Sequence, residues 1–315
     1  MEIVFIQWGI ILVLSLFVLV KGADIFVNGA ERLGIALGWK QFVVGVLIVG
    51  VGTSLPELAA SLAGVYAEVP ELVIANVVGS NIANILLVLG VIAFLSGPLL
   101  IKERLIKTEL PIFIIATVHF TAVVFDGVID RAEGLLLVGT LGAYFWYLLY
   151  DSQVVKTEQA SMTESTSLKL YDVLTVVLGL AAVLVGAKFA VDMTINIATL
   201  LGVSLTFLTI TVIAIGTSLP ELAVSLQAIR HGQTEMAVGN IFGSSAFNLL
   251  AVAGIPALFV SLPAGAEVMS LGLGVMVAAS IILFVSGLAR QVMRWEGLML
   301  LLFFAFFVGK LITLI

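Results

Sequence analysis

The sequence predicts an all-α polytopic membrane protein, with ten transmembrane helices arranged as two inverted five-helix repeats. Three observations carry that expectation. Of 315 residues, 61% are hydrophobic and only 11% charged, where a soluble domain carries about 25% charged residues. The apolar residues form long runs and do not alternate with polar faces. One hexapeptide also occurs twice, as Gly52-Thr53-Ser54-Leu55-Pro56-Glu57 and Gly216-Thr217-Ser218-Leu219-Pro220-Glu221, 164 residues apart.

A spanning helix needs about 20 mainly apolar residues, and that ruler sets the spans in order. The first, 5–27, reads as a helix and not a secretory signal, because more apolar runs follow and no small-residue cleavage site ends it. Spans 41–65 and 71–95 carry the hexapeptide and then Gly79-Ser80-Asn81-Ile82-Ala83-Asn84. Spans 109–126 and 132–150 are plain Leu, Val, Ile and Phe helices. Residues 151–170, with the polar run from Ser161 to Ser167, read as a linker too short to fold alone. Span 171–191 opens the second half. Spans 203–229 and 235–258 carry the second hexapeptide and Gly243-Ser244-Ser245-Ala246-Phe247-Asn248, and 268–288 and 295–314 are again plain. The expected division is therefore residues 1–150 as the first repeat, 151–170 as a cytoplasmic linker and 171–315 as the second repeat.

Lys and Arg set the orientation. The loops after the odd-numbered spans hold ten of the 14: Arg32, Lys40, Lys102, Arg104, Lys107, Lys156, Lys169, Arg230, Arg290 and Arg294. The opposite side holds Arg131 and Lys310, and Lys21 and Lys188 fall near or within spans. The odd loops, including 151–170, are therefore expected in the cytoplasm and both termini outside, in a plasma (inner) membrane. Five spans separate residues 52 and 216, an odd number, so the halves enter the membrane in opposite senses. Gly22-Ala23 matches Gly186-Ala187 at the same offset, and Glu133-Gly134-Leu135 matches Glu296-Gly297-Leu298 one residue out of register. Inverted halves about an axis in the membrane plane are a transporter arrangement. The chain has no cysteine and a net charge of −6. That removes disulfides and thiolate metal sites, and nothing is basic enough to bind nucleic acid.

An intramembrane carboxylate costs several kcal/mol unless something compensates it, and here two occupy equivalent positions. The symmetry brings Glu57 and Glu221 toward the axis, where like charges in a dry site repel until a cation sits between them. Ser54, Ser218, Ser80, Ser244, Asn84 and Asn248 add oxygen donors without sulfur or imidazole. That set suits calcium, which takes six to eight oxygens in irregular geometry; it disfavours zinc, copper and iron, and suits magnesium less. Thr53 and Glu57 are spaced i,i+4, Ser54 and Glu57 i,i+3, and Ser80 and Asn84 i,i+4, so each pair shares a helical face. Thr217, Ser218, Glu221, Ser244 and Asn248 repeat the pattern.

Pro56 and Pro220 lack an amide proton, so carbonyls near Gly52 and Gly216 lose their helical partner and become available to an ion. The carbonyls of Thr53 and Thr217 are the expected donors, with those of Gly50 and Ala214 beside them. Asn76 and Asn240 read either as supports behind the ligands or as ties to broken backbone. His231 reads as an ordinary surface residue, His119 as a packed one, and Asp24, whose equivalent is Lys188, has no assigned role.

The blocks GTSLPE and NxxGSxxxN, each present twice in opposite topology, resemble the alpha repeats of the calcium/cation antiporter superfamily, most nearly its prokaryotic sodium/calcium exchanger branch. The resemblance covers nearly the whole chain. It implies that spans two, three, seven and eight enclose four cation sites, and that spans one and six slide across them to alternate access. Glu57 and Glu221 would be shared by calcium and sodium, and Thr53 and Thr217 would offer carbonyls to calcium. Ser54, Ser218, Ser80 and Ser244, with the carbonyls of Gly50 and Ala214, would complete the sodium sites, and Asn84 and Asn248 would line the middle position. It further implies exchange of three sodium ions for one calcium, without enzyme chemistry or a cofactor. Sodium-coupled relatives usually carry one aspartate at the middle position, whereas both residues here are amides. Sodium and protons therefore both stand as counter-ions, with sodium ahead because the Gly-Asn-x-x-Glu core of the proton-coupled branch is absent. A passive channel and a membrane-embedded hydrolase are the remaining alternatives; the symmetric, interrupted site disfavours the first, and the lack of a Ser/His/Asp constellation the second. A monomer is the expected working unit, with inorganic cations and the lipid bilayer as its partners.

Overall fold

The computed structural model describes residues 2–101, 103–159, 169–200, 216 and 218–314, and every expected span is represented among them. Seven helices or helical runs are long and apolar enough to cross a bilayer: Phe5–Leu37 within α1 (Glu2–Leu37), α2 (Gln41–Tyr66), α3 (Glu71–Ser96), Arg131–Tyr150 within α5 (Arg131–Gln159), Leu170–Ile197 within α6 (Leu170–Leu200), α8 (Thr234–Ala257) and α9 (Val268–Leu288). The others are α4 (Glu103–Val123), α7 (Leu219–Arg230) and α10 (Arg294–Leu314).

Several boundaries differ from expectation. Helices α1 and α6 run to Leu37 and Leu200, past the expected ends at 27 and 191. A hydropathy ruler stops at Asn28, Glu31 and Arg32, but Glu and Arg are good helix formers, and this polar end is clamped. Arg32 Nε donates to Asp172 Oδ1 at 3.0 Å, and its guanidinium lies 5.5 Å from the centre of the Tyr171 ring. Helix α4 begins at Glu103, not near 109, with Pro111 inside it. Helix α5 continues to Gln159, nine residues into the stretch expected as linker. The polar run Ser161–Ser167 lies outside the described residues.

Burial separates the helices into two sets. In the central window of α8 94% of residues are buried, and in α3 78%, against 33% in α1 and α6. The core is therefore built around α2, α3 and α8, while α1 and α6 lie outside it and pack on each other. That pair meets at glycines: a Cβ on Gly186 would sit 2.6 Å from the Leu19 nitrogen, and one on Gly22 2.8 Å from the Val183 nitrogen. Small residues allow such backbone approach in a membrane, where dispersion and not water exclusion drives helix contact.

The inverted repeat is visible in the packing. A Cβ on Gly90 (α3) would lie 3.1 Å from the Gly297 carbonyl oxygen (α10), and a Cβ on Gly254 (α8) would lie 3.1 Å from the Gly134 carbonyl oxygen (α5). Two short antiparallel ladders, not expected from the sequence, follow the same rule. Strands β1 (Leu99–Leu100) and β4 (Gln291–Val292) pair, as do β2 (Val128–Ile129) and β3 (Leu262–Pro263). Each strand has its repeat counterpart in the other ladder, so both ladders join the two halves.

Candidate functional site

The first hexapeptide interrupts its helix at Ser54, and Ser218 takes the same backbone conformation. Ser54 has φ −88° and ψ 4°, Ser218 has φ −91° and ψ 4°, and in each repeat a new helix starts at the following Leu. Pro56 and Pro220 fall in the first turn of these new helices, where a missing N–H costs nothing and the fixed φ favours helix. The expected break thus lies just upstream of each proline. It is reinforced by backbone features that composition does not display. π-helical turns cover Gly45–Gly50 before the first break, and Ala83–Val88 and Asn248–Val252 begin at or beside Asn84 and Asn248. Such turns release carbonyls from the ordinary helical register and recur at functional sites.

Glu57 is 1% exposed and Glu221 0%. The halves are tied across the axis: the Ser54 hydroxyl donates to Glu221 Oε1 at 3.3 Å. Thr53 Oγ1 donates to Asn240 Oδ1 at 3.2 Å and lies 3.3 Å from Ser244 Oγ, and Ser244 lies 3.2 Å from the Gly50 carbonyl oxygen. Asn76 Nδ2 donates to the Glu57 carbonyl at 3.1 Å and to Ser61 Oγ at 3.0 Å. Asn240 Nδ2 donates to the Glu221 carbonyl at 3.3 Å and to Ser225 Oγ at 2.8 Å. Each asparagine thus ties a glutamate's backbone carbonyl to a serine hydroxyl four residues further on. Ser80 donates to Asn76 Oδ1 at 3.4 Å. Thr217 and Ala214 lie outside the described residues.

Several buried polar side-chain atoms have no hydrogen-bond partner. They include both carboxylate oxygens of Glu57, Oε2 of Glu221, Oγ of Ser218, and the oxygen and nitrogen of both Asn84 and Asn248. All six of these side-chain oxygens are buried, and leaving them unmatched would cost several kcal/mol. A hard cation fits them, because the set is carboxylate, carboxamide and hydroxyl. Among the described residues no group of three or more His, Asp or Glu side chains is placed to hold a metal ion. Ser61 and Ser225 escaped the sequence reading because a lone Ser in an apolar helix usually bonds its own backbone. Their common spacing, four residues after each glutamate, was the available signal. Asn81 and Ser245 also lie buried beside the set, with Oδ1 and Oγ unpartnered.

An inverted pair of broken helices around buried oxygen donors makes this a polytopic membrane transporter of the inverted-repeat class. The chain belongs to the family described as sodium/calcium exchanger protein, which it matches over residues 8–150 and 171–313. It is 33% identical to the sodium/calcium exchanger MaX1 of Methanosarcina acetivorans, over 95% of this chain and 96% of that one. It is 34% identical to the inner membrane protein YrbG of Escherichia coli K12, over 79% of this chain and 78% of that one. Among solved structures, the sodium-calcium exchanger NCX_Mj soaked with sodium and strontium superposes with a TM-score of 0.83 at 28% identity, over 97% of this chain and 99% of that one. The fold is the exchanger fold.

Proposed function

We propose that the protein is a secondary active antiporter that exchanges calcium for sodium by alternating access. The observation that carries this is the pair of buried glutamates in the first turns of two helices related by the inverted repeat, with further buried, unpartnered oxygens on Ser218, Asn84 and Asn248. Empty, the site holds two carboxylates that repel and resist closure; one calcium or several sodium ions neutralises them. Closure is then coupled to occupancy, and the two fluxes become obligatory partners. We assign Glu57 and Glu221 to both ions, the carbonyls of Thr53 and Thr217 to calcium, and Ser54, Ser218, Ser80 and Ser244 with the carbonyls of Gly50 and Ala214 to sodium. Asn84 and Asn248 line the middle position. The relatives MaX1 and NCX_Mj, both named sodium/calcium exchangers, support that choice of ions.

The proposed topology has both termini outside and the linker in the cytoplasm, in a plasma (inner) membrane, with two inverted five-helix halves in one working monomer. The ladders support this arrangement. One joins the loops after α3 and α9, the other those after α4 and α8, so each pairs loops that the Lys and Arg count assigns to one face.

Calcium uptake into proteoliposomes tests the function. A sodium gradient, inside high, is expected to drive uptake, and a pH gradient alone is not. The second reading, proton coupling, rests on one observation: amides at both 84 and 248 leave two formal negative charges. Uptake driven by the pH gradient without sodium would establish it and overturn the first. The same assay with Asn248→Asp, which adds a third carboxylate, is expected to steepen the sodium dependence.

A further inference from the structure

The two halves share a plan, yet the contacts of α1 and α6 with the core are unequal. Helix α1 packs along α7, and two polar contacts fasten it there. Gln227 Nε2 donates to the Val20 carbonyl at 3.1 Å, and His231 Nε2 lies 2.7 Å from Asp24 Oδ1. His231, expected as an ordinary surface residue, and Asp24, which had no assigned role, thus meet each other. At the repeat offset of 164 residues, Gln227 and His231 correspond to Ala63 and Ala67, and Asp24 to Lys188. None of these can form the equivalent contacts. Among the described residues α6 makes no comparable packing on Leu55–Tyr66. Exposure follows the same division: Val224 is buried at 0%, whereas its counterpart Ala60 is exposed, as are Ala59 and Ala63. An open cavity of about 220 Å³ is lined by Pro56, Ala60, Leu184, Lys188, Asp192 and Pro220, and the two prolines directly precede the glutamates in sequence.

We infer that Gln227, with His231 and Asp24, forms a one-sided clasp that holds α1 against α7 and keeps the cytoplasmic approach to the glutamates shut. The alanines at the equivalent outer positions leave the external approach open. These are positioning residues; they touch no ion. The clasp sets the resting bias of an otherwise symmetric machine toward outside access. Gln227 is the stronger member, because it is 8% exposed while the His231 and Asp24 side chains are 31% and 37% exposed and screened by water. The inference rests on the proposed function in calling the two approaches ion routes, and on the proposed topology in calling one cytoplasmic and the other external.

The absence of cysteine makes the test direct. Single variants Ala60→Cys and Val224→Cys are reconstituted and challenged from each face with a membrane-impermeant maleimide. Ala60→Cys is expected to react from outside and Val224→Cys to be protected. Adding Gln227→Met, which keeps bulk but cannot donate, should raise inside labelling of Val224→Cys about fivefold, and adding His231→Ala as well about tenfold. Labelling unchanged by both would overturn the clasp, since packing alone then shuts the route. If Gln227→Met does not fold, His231→Ala alone must still increase labelling about twofold. The converse variant, Ala67→His with Lys188→Asp, should lower outside labelling of Ala60→Cys, and no change would count against the clasp. Labelling needs no transported ion, so a chain that labels as expected but moves no calcium would sink the exchanger reading and leave the clasp standing. In an active protein, opening the clasp should lower the KM for cytoplasmic calcium and raise that for external calcium by similar factors, with kcat less affected.

Discussion

At the scale of single residues, Glu57 and Glu221 are almost wholly buried, with both Glu57 carboxylate oxygens and Glu221 Oε2 lacking a hydrogen-bond partner. Glu57→Gln or Glu221→Gln removes charge at constant size, and each is expected to cut sodium-driven calcium uptake at least 100-fold, with an unchanged elution profile on size-exclusion chromatography. Uptake within threefold of the parent protein would remove the glutamates from the site. Asn240 acts one step behind, through the Glu221 carbonyl and Ser225. Asn240→Ala strips partners from buried groups, at about 1–3 kcal/mol; it should lower thermal stability in detergent by several degrees and weaken calcium affinity together. The glutamates, serines and middle asparagines were legible in the sequence because polar residues in an apolar run stand out, and stand out twice. Ser61, Ser225 and the Asp24–His231 contact were not. The serines look like any helical serine, and residues 207 positions apart announce no contact.

At the scale of the element, the broken helices depend on how closely their neighbours approach. Gly239 on α8 faces α2, where an added Cβ would sit 2.5 Å from the Phe42 carbonyl oxygen, and Gly243 would meet Val46 Cα at 2.7 Å. Gly239→Ala is expected to push the helices apart, lowering thermal stability and abolishing uptake, whereas Gly139→Ala on α5, with nothing within 4 Å, should leave both unchanged. Equal effects of the two substitutions, measured by thermal unfolding in detergent, would remove close packing as the reason for the glycine. The breaks were expected from proline chemistry, and Ser54 and Ser218 leave helical geometry two residues before each proline. The π-helical turns at Gly45–Gly50, Ala83–Val88 and Asn248–Val252 had no signal, because a shift in hydrogen-bond register leaves hydropathy untouched. The lengths of α1 and α6 were underestimated for a related reason. Their ends leave the apolar zone but remain helical through contacts such as Arg32 with Asp172, which hydropathy does not count.

At the scale of the whole molecule, exchange of three sodium ions for one calcium would move one net charge per cycle. A potential of 100 mV is worth about 2.3 kcal/mol per elementary charge. Sodium exit would carry the net charge outward, so a potassium diffusion potential imposed with valinomycin, inside positive, should accelerate calcium uptake. Uptake indifferent to potential would mean a neutral stoichiometry. The inverted architecture itself was legible from one offset, 164 residues, because duplication preserves spacing as well as composition. The ladders between β1 and β4 and between β2 and β3 have a consequence for biogenesis. Leu99–Leu100 leaves the ribosome about 190 residues before its partner Gln291–Val292, and at 5–20 residues per second that is a wait of roughly ten to forty seconds. During that interval the first half sits in the bilayer with unpaired backbone at its loop edges. Closure of the two ladders is therefore a late step of synthesis, and it marks the moment when two separately inserted halves become one protein.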